Sequence, residues 1–174
     1  FALAHKKHPE ITLNIVGGYT TQTKQELDKR LAELDLLGNV SFTGSLPSHD
    51  DVINQVRKSR FAILPLKIDM ITGTIREAMA NGLPVVTTIT PATPKLNENR
   101  KSVLLSKKED FNNMASNMLD LLDNEDLYNT LQANGYATVR ERYDNGVEAN
   151  LWREAYYAVL ENKKNGTPIP SILM

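Results

Sequence analysis

Asp69 and Glu77 stand eight residues apart, with Thr72-Gly73-Thr74-Ile75 between them. The stretch "TGTIREAMANG" reads as a loop running into a short helix over Thr74 to Asn81, stopped by Gly82. The first amides of such a helix, near Gly73, Thr74 and Ile75, have no intrahelical partner. With the helix dipole they make an anion site suited to a phosphate. Gly73 lets a ligand approach the backbone closely, and Thr72 and Thr74 add hydroxyls. Glu77 lies one turn into the helix, within reach of a ribose whose vicinal hydroxyls it could accept from, as acids do in dinucleotide folds. A hydrogen bond to a charged group contributes roughly 1.5–3 kcal/mol. Asp69, in the loop, falls on the other side of the phosphate, where the non-nucleotide part of a ligand would lie.

The same residues also have plainer readings. A Glu in a first helical turn can serve only as a partner of the dipole, and Asp69 can be a solvated loop acid. Gly17-Gly18 can be a simple turn. Trp152, at helical spacing, reads as a core residue. Lys6, Lys7, Lys107 and Lys108 read as solvated faces.

The elements that must position these residues alternate. "ITLNIVGG", "VSFTG", "FAILPL", "VVTTI" and the weaker "SVLL" read as strands. Thr23 with Glu26, Ser48 with Asp51 and Ser106 with Glu109 read as capping boxes that open helices. Leu27, Leu31 and Leu34 recur at helical spacing after the first box, and Gly38-Asn39 closes that helix. Val52, Ile53 and Val56 give the next helix its apolar face, and Phe111, Met114, Met118 and Leu122 line another. Asn124 caps a helix with Leu127 and Leu131, and Asn145 with Glu148 begins a last one. Near-continuously apolar strands alternating with helices predict a parallel sheet covered on both faces. In such sheets ligands bind at the carboxyl ends of the strands. Three loops leave such ends: Gly17-Gly18-Tyr19, Gly44-Ser45-Leu46, and Lys67 to Gly73.

Composition narrows the classes. A net charge of -1 over 174 residues argues against a nucleic-acid partner held by bulk electrostatics. There is no cysteine, so neither a disulfide framework nor thiolate chemistry is expected. His5, His8 and His49 lie far from any cluster with metal spacing. No apolar run reaches the roughly 20 residues that span a bilayer.

"REAMANGLPVV" resembles the E-A-M-A-x-G-x-P-V-V signature of glycosyltransferase family 4, the retaining nucleotide-sugar enzymes of the GT-B fold. "LNIVGG", "LGNVSFTGSLP" and "FAILPL" resemble flanking segments of that family's C-terminal half. "LYNTLQANGYATVRERYDNGVEANLWREAYYAVL" resembles its closing helices. The likeness implies a Rossmann-like donor-binding domain over 1–162; residues 163–174, with a glycine and two prolines, read as an extended tail. Asp69 and Glu77 match the family's two acids. The resemblance implies that Glu77 holds the donor's ribose and that Asp69 faces the transferred sugar. Backbone near Thr72 to Ile75 would meet sugar and phosphate, and Gly44 and Ser45 would flank the base.

The departures are also specific. Asp69 replaces the usual Glu, Met70-Ile71-Thr72 replaces Gly-Phe-Gly, and Pro91-Ala92 stands where Gly-Gly is usual. The family's first strand, with its Gly-Arg turn and Lys, has no counterpart upstream of Phe1. A gap is therefore expected between "ITLNIVGG" and "FAILPL", and the chain reads as a piece of a larger enzyme that is inactive alone.

The expected donor is a nucleoside-diphosphate sugar, and the expected acceptor is a glycan, lipid or other molecule bound by the missing half. Neither cofactor nor metal is expected. The expected location is the cytoplasm or the inner face of its membrane, with peripheral contact by the full-length protein. Two rival readings remain: a nucleotide-sugar 2-epimerase, for which His49 is the nearby histidine, and a non-catalytic nucleotide-sugar or partner-binding module.

Overall fold

The structure, a computed structural model, describes residues 1–67 and 71–171. Its strands are β1 (Leu13–Val16), β2 (Val40–Gly44), β3 (Ala62–Leu64), β4 (Val85–Thr88) and β5 (Leu104–Ser106). Its helices are α1 (Ala2–His5), α2 (Thr21–Glu33), α3 (His49–Val56), α4 (Gly73–Ala80), α5 (Phe111–Asp123), α6 (Glu125–Arg142) and α7 (Asn145–Asn165), with a 3-10 turn at Thr93–Asn97. Every strand pair is parallel, as apolar strands joined by helical crossovers require.

Among the described residues the strands form two sheets, β1-β2 and β3-β4-β5, with no ladder joining β1 to β3. The expected gap is therefore present, at the expected place. β4 is the centre of the larger sheet and is buried along its whole length. Alternate residues of this strand face opposite layers. Val85 packs with Ile75, Ala78 and Met79 of α4 and Val139 of α6. Val86 packs with Ala4 of α1, Met118 and Leu121 of α5 and Leu131 of α6. Helices thus cover both faces. Burying side chains the size of Ile75 and Met79 contributes about 1.5–3 kcal/mol each, which fixes α4 on the sheet.

The smaller sheet is less covered. No residue of α2 is fully buried, and a groove of about 660 Å3 opens between α2 and the α1–α5 pair. Phe1, Leu13, Ile15, Leu27, Leu31 and Met114 are among its walls. From the strands it is lined by Leu13 and Ile15 of β1 and Val40 of β2, and by neither Val16 nor Gly44 at their carboxyl ends.

Several boundaries differ from those expected. Thr20, not Thr23, caps α2: its hydroxyl accepts from Thr23 N–H at 3.1 Å. α2 ends at Glu33, before Gly38. Asp110, not Ser106, caps α5. Ser106 is buried in β5 and accepts from Asn117 Nδ2 at 2.9 Å. The buried face of α5 is Ala115, Met118 and Leu121, while Phe111 is exposed. α7 runs on to Asn165, three residues into the expected tail, and stops at Gly166 in the left-handed region, φ 68°. Trp152 on α7 is 64% exposed, not a core residue.

Candidate active site

The carboxyl ends of β1 and β2 are tied together. Gly17 takes a φ of 128°, open to glycine alone without strain. Its N–H donates to Thr43 Oγ1 at 3.2 Å, and it bridges to Gly44. A Cβ on Gly18 would stand 2.6 Å from Ser45 Oγ, so the missing side chain allows the two loops to touch. Tyr19 meets the ring of Phe42 edge-on at 5.7 Å, and Lys24 Nζ lies 4.5 Å from the same ring. Gly44 and Ser45 are thereby fixed at the strand end expected to flank a ligand. Four residues on, α3 begins at His49, capped by Ser48, which accepts from Asp51 N–H at 3.1 Å.

α4 begins one residue earlier than expected. Thr72 is its N-cap, in extended conformation, and Thr72 Oγ1 accepts from Ile75 N–H at 3.4 Å. The Ile75 amide is therefore engaged by the cap and its side chain is buried. Of the three amides expected at the site, those of exposed Gly73 and Thr74 remain for a ligand. Arg76 turns toward Tyr143 of the α6 C-cap, its guanidinium carbon 5.5 Å from the ring centroid.

Glu77 behaves differently. Its side chain is 39% exposed, and Oε1 lies 3.7 Å from where a Cβ on Gly73 would stand. The carboxylate therefore turns back toward the helix N-terminus. His49 Nε2 lies 4.0 Å from the same Oε1. The start of α3 and the second turn of α4 thus face each other through these two side chains. The start of α4 presents amides for an anion, and Glu77 a carboxylate for hydroxyl donors. Asp69 lies outside the described residues, as does Met70.

The approach to that loop is held by groups that the sequence does not mark as functional. Thr87 Oγ1 donates to the carbonyl of Leu64 at 2.7 Å. Thr88 Oγ1 accepts from Leu66 N–H at 2.8 Å and donates to Leu66 O at 2.6 Å. Lys108, read as solvated, donates to the carbonyl of Lys67 at 3.0 Å. The one available signal is a pair of threonines ending an otherwise apolar strand. Beyond β4, the Thr90 and Thr93 hydroxyls each accept the other's N–H, at 2.8 and 3.1 Å. This closes the turn in which Pro91-Ala92 replaces the usual glycines.

Among the described residues, no group of three or more His, Cys, Asp or Glu side chains is placed to hold a metal. No described helix is long and apolar enough to cross a membrane.

Known proteins share this fold. The chain is similar to the crystal structure of the C-terminal domain of a glycosyl transferase group 1 family protein, LpcC, from Francisella tularensis. The TM-score is 0.71 at 21% identity, over 83% of this chain and 75% of that one. It is also similar to HepE from Anabaena, crystallised with UDP and glucose, with a TM-score of 0.78 at 20% identity, over 90% of this chain and 44% of that one. These likenesses establish the α/β fold of GT-B C-terminal domains. In sequence, the chain is 28% identical over 124 residues to an uncharacterized glycosyltransferase of Haemophilus influenzae, covering 71% of this chain and 34% of the relative. The chain thus spans about a third of the length of the curated relatives it matches. Residues 1–124 match the family model described as "Glycosyl transferases group 1", and the chain belongs to that family.

Proposed function

We propose that this chain is the donor-binding half of a family 4 glycosyltransferase. The enzyme moves a sugar, of hexose type, from a nucleoside-diphosphate sugar to a glycan, lipid or other acceptor, with retention at the anomeric carbon. The observation that carries the reading is Glu77, half-exposed and turned toward the open amides of Gly73 and Thr74 at the strands' carboxyl ends. The UDP and glucose in the HepE crystal support a donor of this class.

In this reading Glu77 accepts from the ribose hydroxyls. The Gly73 and Thr74 amides, with the Thr72 and Thr74 hydroxyls, meet the diphosphate and sugar. Gly44 and Ser45 flank the base, and Asp69 faces the transferred sugar. The bond from sugar C1 to the diphosphate oxygen breaks with its electron pair on that oxygen, an acceptor hydroxyl oxygen bonds to C1 on the same face, and the hydroxyl proton passes to the departing diphosphate. The α4 dipole and its free amides stabilise the charge there, so catalysis is mainly positioning and preorganised electrostatics. No metal is assigned to this step, and a chelator is expected to leave transfer intact. The acceptor site and remaining catalytic groups fall to other parts of the enzyme, so the 174-residue chain alone transfers no sugar. The enzyme is assigned to the cytoplasm, at the membrane's inner face where the acceptor is a lipid.

The test is product analysis on the full-length enzyme. Transfer to an acceptor with retained configuration, abolished by Glu77→Ala, is expected. Epimerised donor in place of a transfer product would replace this reading with the epimerase one, and nucleotide binding without turnover would leave the non-catalytic one.

A further inference from the structure

We infer that His49 is a second ribose ligand, its Nε2–H donating to the hydroxyl whose proton Glu77 accepts. The inference rests on the nucleotide reading of Glu77 given above. Its basis is the 4.0 Å between His49 Nε2 and Glu77 Oε1. That separation is too long for a direct hydrogen bond. A hydroxyl oxygen about 2.8 Å from each atom closes a triangle on that base. The chemistry of the two corners is complementary. A carboxylate only accepts, an imidazole N–H donates, and a hydroxyl does both. A C–H at the same place would satisfy neither.

Both corners are held by the fold. His49 is the first residue of α3, directly after the Ser48 cap. Glu77 sits on α4, which Ile75, Ala78 and Met79 anchor in the core. Both side chains are open to solvent, at 65% and 39% exposure, so a ligand can enter between them. The pair therefore distinguishes a ribonucleotide from a deoxyribonucleotide, with His49 adding to what Glu77 provides.

The test is a titration of the full-length enzyme with UDP, GDP and ADP, followed by the 2′-deoxy and 3′-deoxy forms of the tightest binder. The variants are His49→Ala, His49→Gln and Glu77→Ala, each checked for unchanged circular dichroism. A neutral hydrogen bond predicts that His49→Ala weakens the ribonucleotide about three- to tenfold. The amide donor of His49→Gln should recover most of that loss. Against the deoxy form that lacks the bridging hydroxyl, His49→Ala should match the wild type.

Unchanged ribonucleotide affinity in His49→Ala, with a loss in Glu77→Ala, overturns the role of His49 and leaves the reading of Glu77 standing. Equal weakening toward ribo and both deoxy forms also overturns it. No nucleotide affinity, or none that depends on Glu77, overturns both.

Discussion

Thr88 and Leu66 are joined twice: the threonine hydroxyl accepts the Leu66 N–H at 2.8 Å and donates to the Leu66 carbonyl at 2.6 Å. A side chain on the central strand thereby completes the backbone pairing that β3 would otherwise lose where it leaves the sheet. Thr88→Val keeps the shape and removes both bonds. At about 0.5–1.5 kcal/mol net per bond, the variant should lose roughly 1–3 kcal/mol. Urea unfolding should show a lower midpoint with an unchanged slope. An unchanged midpoint would mean that the loop's entry is set elsewhere.

Gly73 separates fold from function. A Cβ there would meet Glu77 Oε1 at 3.7 Å, an ordinary contact. Removing a glycine from a helix is worth up to about 1 kcal/mol. Gly73→Ala should therefore unfold no earlier than the wild type. It should still weaken nucleotide binding severalfold, because the methyl group lies between the amide site and the carboxylate. Intact binding in a stable Gly73→Ala variant would show that no ligand approaches this turn.

Away from the site, His8 links two carboxylates. Its Nδ1 lies 2.9 Å from Glu10 and its Nε2 lies 2.8 Å from Asp123 at the end of α5. The hydrogen bond to Glu10 is the largest cause raising its pKa above the ordinary 6.5. The charge and hydrogen bond of Asp123 add to it, against partial desolvation. Glu10 is held below its ordinary 4.5, first by its own backbone amide and then by His8, with a small contribution from the charge of His5. A raised histidine pKa stabilises the fold fully below 6.5 and ceases to do so as pH rises through the folded value. The glutamate's share is lost as pH falls through a value under 4.5. The melting-temperature advantage of wild type over His8→Gln should therefore be largest between these limits and fade as pH rises through the raised histidine pKa. An advantage that grows toward alkaline pH would contradict this pairing.

The sequence marks the strands and the Glu77 helix well because their signals are local. Each strand is an apolar, β-branched run between turn residues, and the α4 start needs only Thr72 and Gly73. Helix starts with two possible caps are ambiguous: Thr20 and Thr23 are three apart and bond each other at 2.9 Å. In the structure Thr20 takes the cap. At α5, Glu109 adopts a φ of 63°, which turns the chain and passes the cap to Asp110. Trp152 has helical spacing, but spacing alone does not supply a partner, and α7 leaves it exposed. The approach of His49 to Glu77 depends on how two helices meet at the strand ends, which no local pattern encodes.

The most direct measurement is a calorimetric titration of the full-length enzyme with UDP, GDP and ADP, beside Glu77→Ala. One nucleotide should bind selectively, and about tenfold or more weakly to the variant, as the loss of a charged hydrogen bond of roughly 1.5–3 kcal/mol requires. Equal affinity in the two proteins, with both folded, would contradict this and leave Glu77 as a carboxylate that only answers the dipole of its helix.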